Sequence, residues 1–118
     1  CALPIYVIFI LIYSPLFFTF QVQCFPLYAV LMALGNPHVD YLSLDVEGSE
    51  FVVMQTLPWS KVNITLVSIE VAHAGKIFPG SKEDIHGLMK QHGYNYVKTA
   101  EIDDFFYNSN FNRFAKKT

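Results

Sequence analysis

No Asp, Glu, Lys or Arg precedes Asp40, so the first third of this 118-residue chain offers no fully charged side chain to water. Basic residues are too few for a cationic surface. Eight Lys and Arg against ten Asp and Glu leave a net charge of −2, which argues against a nucleic-acid partner. Cysteine is scarce too. Cys1 and Cys24 have no metal-ligand spacing and establish neither a disulfide framework nor a compartment, so Cys24 reads as a small buried apolar residue. There is no G-x-G-x-x-G turn, no H-x-x-x-H pair, no internal repeat and no low-complexity linker. The chain does not begin with Met and is read as a piece of a longer one.

What is present is apolar. A 53% hydrophobic content over this length suits one small domain with a single core. Residues 2–20 form an uncharged run close to the ~20 residues a membrane span needs. Pro4 and Pro15 interrupt it, and neither flanking Lys or Arg nor the basic start of a signal peptide accompanies it. Two readings of residues 1–22 follow: a membrane span, or a sequence artefact. In the second, residues 1–5 are what the sequencing adapter TGTGCTCTTCCGATCT encodes. Residues 6–21 are then a translated T-rich intron end, with Phe20-Gln21 as TTT-CAG. Asn63-Ile64-Thr65 is a formal glycosylation sequon, used only if the domain is lumenal.

From Pro26 the pattern becomes regular. Leu27, Val30, Leu31 and Leu34 have helical spacing, with Gly35 as the stop. Residues 41–45 read as a strand, 49–56 as a short helix, and 64–71 as a buried β-branched strand. A loop over 72–80 leads to Ser81, which caps a helix over 82–92 whose inner face is Ile85, Leu88, Met89 and His92. Residues 94–98 and 105–107 complete the pattern as strands joined through 101–104, with a polar tail over 108–118. Helices alternating with strands predict an α/β sheet in which 41–45 and 64–71 lie parallel and adjacent.

The densest chemistry lies at the end of the first of these strands. Asp45-Val46-Glu47-Gly48-Ser49-Glu50 places three carboxylates and a glycine where ligands bind in open α/β sheets. A structural reading competes: Gly48 bends the chain, Glu50 favours the helix N-terminus, and Asp45 caps the helix. The hexapeptide resembles the D-x-E-G-x-E signature of the FkbM-type methyltransferase domain, a Rossmann-like, S-adenosylmethionine-dependent family. The resemblance extends over residues 23–107, through Cys24-Phe25-Pro26-Leu27-Tyr28, Leu57-Pro58-Trp59, Ser68-Ile69-Glu70-Val71, His92-Gly93-Tyr94 and Ile102-Asp103-Asp104-Phe105. His73-Ala74-Gly75 and Ile77-Phe78-Pro79-Gly80-Ser81 are most similar to the animal branch that includes the insect protein Star.

The resemblance implies the C-terminal half of a class I methyltransferase sheet, its last two strands antiparallel. It implies S-adenosylmethionine as cofactor and a small-molecule or glycan hydroxyl as acceptor. The glycine-rich turn and ribose-binding acid of the family belong to the other half, so no cofactor binding is expected of this chain alone. The Star-like alternative implies a noncatalytic, membrane-anchored factor in the ER and Golgi that carries growth-factor precursors; otherwise the location is cytoplasmic.

Four residues are candidates for catalysis. Asp45 would orient an acceptor hydroxyl or take its proton, and Glu47 would shape the same loop. Glu70 ends the second parallel strand, with His73 three residues on, as a base and its orienter. Asp45 and Gly48 are the candidates for contact with the cofactor. No metal is assigned, because no close ligand motif supports one. His38, His86 and His92 have no constellation around them, and Trp59 and the tyrosines read as packing residues. Methyl transfer from a sulfonium asks mainly for in-line placement, so a modest site of this kind suffices.

Overall fold

The computed structural model describes residues 23–110 and the backbone of two short strands, β1 (Ile8–Ile10) and β2 (Thr19–Gln21). These two pair antiparallel in a sheet of their own. The rest of the segment read as artefact or membrane span, and the tail from 111, lie outside the described residues. Among the described residues no helix is long and apolar enough to cross a membrane.

The main body runs α1 (Leu27–Ala33), β3 (Val39–Leu44), α2 (Glu50–Gln55), β4 (Ile64–Glu70), α3 (Lys82–Gln91), β5 (Tyr94–Ala100) and β6 (Asp103–Asn108). Its four strands lie in the order β3-β4-β6-β5. β3 and β4 are parallel, while β6 runs antiparallel to both β4 and β5. This mixed α/β sheet is compatible with a partial Rossmann-like methyltransferase fold, as expected. β4 is central and buried along nearly its whole length, which its Ile-, Val- and Leu-rich sequence suits. At the margins, β3 is exposed at half of its positions and β5 at most of its own.

The core forms where helices meet β4. Met54 of α2, Ile85 and Met89 of α3, Val67 and Ile69 of β4, and Phe106 of β6 are all essentially inaccessible. Each such side chain contributes roughly 1.5–3 kcal/mol when fully buried, enough to pin short helices that would not persist alone. α3 starts where the sequence placed it. The Asp84 N–H donates to Ser81 Oγ at 3.1 Å, and the Ser81 N–H donates to Asp84 Oδ2 at 2.8 Å. The Ser81 N–H and the Ser81 hydroxyl, which also donates to Oδ2 at 3.0 Å, hold the Asp84 carboxyl below its ordinary range. Trp59 is a packing residue: its indole N–H donates to the Met54 carbonyl at 3.1 Å, and its ring stacks on His92 at 5.0 Å.

Two expectations change. β6 begins at Asp103, two residues before the expected strand, so Asp103 and Asp104 are paired with Ala100 and Thr99 rather than lying in a connection. Acids are disfavoured in strands, but here a local network compensates. His86, expected to have no constellation, places Nε2 2.6 Å from Oδ2 of the fully buried Asp104. Lys82 Nζ lies 3.2 Å from the same oxygen, and the Thr99 hydroxyl donates to Oδ1. Burial pushes the Asp104 carboxyl up, but hydrogen bonds from Thr99, His86 and Lys82 outweigh it and leave it below its ordinary value.

The loop after β4 is clamped against α2 by an absent side chain. Gly80 has φ 108°, and a Cβ there would sit 2.2 Å from the Phe51 Cβ. Gly80→Ala should therefore lose roughly 3 kcal/mol of stability, from backbone strain and overpacking together. Urea melts would show it; an unchanged midpoint would mean that the 72–80 loop moves freely off Phe51.

Candidate functional site

The parallel register of β3 and β4 builds the site. Leu44 pairs with Ile69, so the next residue of each chain segment, Asp45 and Glu70, emerges side by side at the carboxyl ends. Successive strand residues alternate faces, so the two acids also share a face of the sheet. Asp45 is exposed and makes no side-chain hydrogen bond or ion pair among the described residues; Glu70 is 2% exposed. The expectation that these two line one edge is met by the geometry.

The turn after Asp45 is tight. Glu47 has φ 54° and Gly48 φ 102°, two successive left-handed residues. For Glu47 that conformation costs about 1–2 kcal/mol, which the surrounding contacts must offset. Gly48 is required for a second reason, since a Cβ there would lie 3.0 Å from the His73 carbonyl oxygen. The glycine thus lets the β3–α2 turn press against the loop that carries His73. His73 bridges the two acid-bearing segments. Its Nδ1 lies 3.3 Å from both Glu70 oxygens and 3.6 Å from Glu47 Oε2.

Glu50, absent from the catalytic candidates, is the acid most deeply built into the site. It is 1% exposed, and its Oε1 accepts the Val46 N–H at 2.8 Å and the Gly48 N–H at 3.2 Å. Ser49, the residue before α2, makes no side-chain cap; its hydroxyl donates back to the Val46 carbonyl at 3.0 Å. The competing reading, in which Asp45 caps the helix, is not met: the residue before α2 is Ser49 and no side chain caps it. Glu50 folds back over its own turn instead of merely favouring the helix N-terminus. Its place as the last acid of the hexapeptide, one helical residue after a Gly-Ser, was the signal available in the sequence.

The arrangement therefore gathers Asp45, Glu47, Glu70 and His73, with Gly48 in the turn against the His73 carbonyl, and adds Glu50. An exposed carboxylate beside a buried one carrying a histidine can receive a proton from, and orient, a hydroxyl group approaching the strand ends. No curated protein and no solved structure matches the chain significantly. The family model described as the methyltransferase FkbM domain matches residues 11–96, well over half of the chain. The match begins inside the uncharged N-terminal segment, ends in β5, and contains every residue of the site just described. The chain belongs to the FkbM-domain methyltransferase family.

Proposed function

We propose that this chain forms the acceptor side of an O-methyltransferase that uses S-adenosylmethionine, the donor general to its family. The observation that carries the reading is the register that sets Asp45 beside Glu70 at the carboxyl ends of two parallel strands. Asp45 orients the acceptor hydroxyl and takes its proton. His73, held by Glu70 and Glu47, stands at the same strand ends. Gly48 acts on the donor side only through the shape it gives the turn. The acceptor is a small molecule or glycan bearing a free hydroxyl.

Donor binding needs more than these residues. A groove of about 260 Å³ beside the turn is lined by Phe25, Leu27, Leu44, Val46, Ser49 and Val52, among others, and by no charged side chain. Such walls suit one apolar ring, but not the ribose and the zwitterionic end of the donor. The described residues thus do not fit the whole cofactor. Calorimetry of the 118-residue chain with S-adenosylmethionine should give no binding in the micromolar range; clear micromolar binding would place the donor site within this chain.

Transfer of a labelled methyl group from S-adenosylmethionine by the complete protein tests the reaction itself. The competing reading from the sequence, a Star-like carrier of growth-factor precursors in the ER and Golgi, keeps the fold without turnover. Export of such precursors with neither donor binding nor methyl transfer in the complete protein would favour it.

A further inference from the structure

One carboxylate oxygen from each of Asp45, Glu50 and Glu70 lies within 4.8 Å of the other two. Two of these acids are withdrawn from water, and each leaves one oxygen without a hydrogen bond. The Val46 and Gly48 N–H groups hold Glu50 Oε1, while Glu50 Oε2 is buried with no partner. His73 hydrogen-bonds to Glu70 Oε2, while Glu70 Oε1 is buried with no hydrogen bond. Among the described residues no Lys or Arg forms an ion pair with these acids; His73 is the basic group beside them. Three carboxylates gathered beside a single histidine, two of them buried, are unfavourable, and a bound cation satisfies both their charge and the oxygens left without a hydrogen bond.

We propose that Asp45, Glu50 and Glu70 form a binding site for a hard divalent cation of the Mg²⁺ or Mn²⁺ class. The donors are all carboxylate oxygens, the chemistry these ions prefer. The backbone N–H groups on Glu50 Oε1 fix that carboxylate so that Oε2 is the oxygen left for the ion. Asp45 supplies the exposed third ligand, so the ion faces solvent on its side. Three protein oxygens leave about three of six octahedral positions for water or for an oxygen of the acceptor. An ion there polarises an acceptor hydroxyl and eases loss of its proton. That last step rests on the proposed methyl transfer; ion binding itself does not.

Titrating Mn²⁺ into the 118-residue chain and following free Mn²⁺ by electron paramagnetic resonance tests the site. One saturable site per chain is expected, with a dissociation constant below about 1 mM. Asp45→Asn changes an exposed, unpaired side chain and leaves the fold intact, and it should weaken binding at least about tenfold. Glu50→Gln should do the same, and in metal-free buffer it should melt no lower than wild type, because it removes a buried charge. Glu83→Gln, on the exposed face of α3, should bind as wild type does. No saturable binding, or equal affinity in Asp45→Asn, would overturn the site. Methyl transfer by the complete protein without Mn²⁺ binding would remove the ion and spare the enzyme. Mn²⁺ binding without methyl transfer would do the reverse.

Discussion

Asp104→Asn should lower the stability of the fold by roughly 3 kcal/mol at neutral pH, the lower end of the cost of breaking a buried pair. The lower end applies because Lys82 and His86 are partly exposed and can turn to water once Asp104 loses its charge. Asp104 itself is fully buried and ties α3 to the β5–β6 hairpin through Lys82, His86 and Thr99. Its carboxyl is held below the ordinary value in the folded state. A depressed folded value means that the unfolded chain takes up a proton first as pH falls. The stabilisation is therefore complete above the unfolded value, about pH 4, and is lost as pH falls through the lower folded value. Urea melts of both proteins between pH 7 and pH 3 would measure this. The gap between them should persist down to about pH 4 and shrink below it. A gap of constant size at pH 3 would mean that the loss comes from packing and not from charge.

Asp45→Asn should leave stability nearly unchanged and reduce methyl transfer by the complete protein by roughly two orders of magnitude or more, the scale of losing a general base. The structural reading of Asp45 predicted that Asn, a good cap, would substitute freely. That reading is removed by the turn itself, because Asp45 makes no cap and Glu50 satisfies the Val46 and Gly48 N–H groups. Asn keeps the size and some hydrogen bonding of Asp45 but cannot accept the acceptor's proton. Labelled methyl transfer and thermal melts on the same preparation separate the outcomes. Unchanged turnover would take Asp45 out of the reaction. A large stability loss would instead make it a structural group.

Much of this protein was determined by local sequence. Ser81 with Asp84, the 3.6-residue spacing of Ile85 and Met89, and the β-branched run of β4 each act within a few residues. Their identity therefore did not depend on the rest of the fold. The short connections between alternating elements also made a parallel β3–β4 pair predictable, and with it the neighbourhood of Asp45 and Glu70. Gly48 was legible because few other residues accept its backbone. Tertiary structure decided the rest. Glu47 adopts a left-handed conformation that its side chain does not favour, so only the packing of the turn against His73 reveals it. Glu50 reads as an ordinary first-turn acid until the end of β4 brings Glu70 beside it and burial leaves one of its oxygens unpartnered. His86 and Asp104 lie 18 residues apart and on different elements, and only the packing of α3 on the hairpin joins them. Periodicity and capping are properties of neighbours along the chain. The burial of a charge and the identity of its partner depend on register and on loops that return from elsewhere, so a single sequence does not display them.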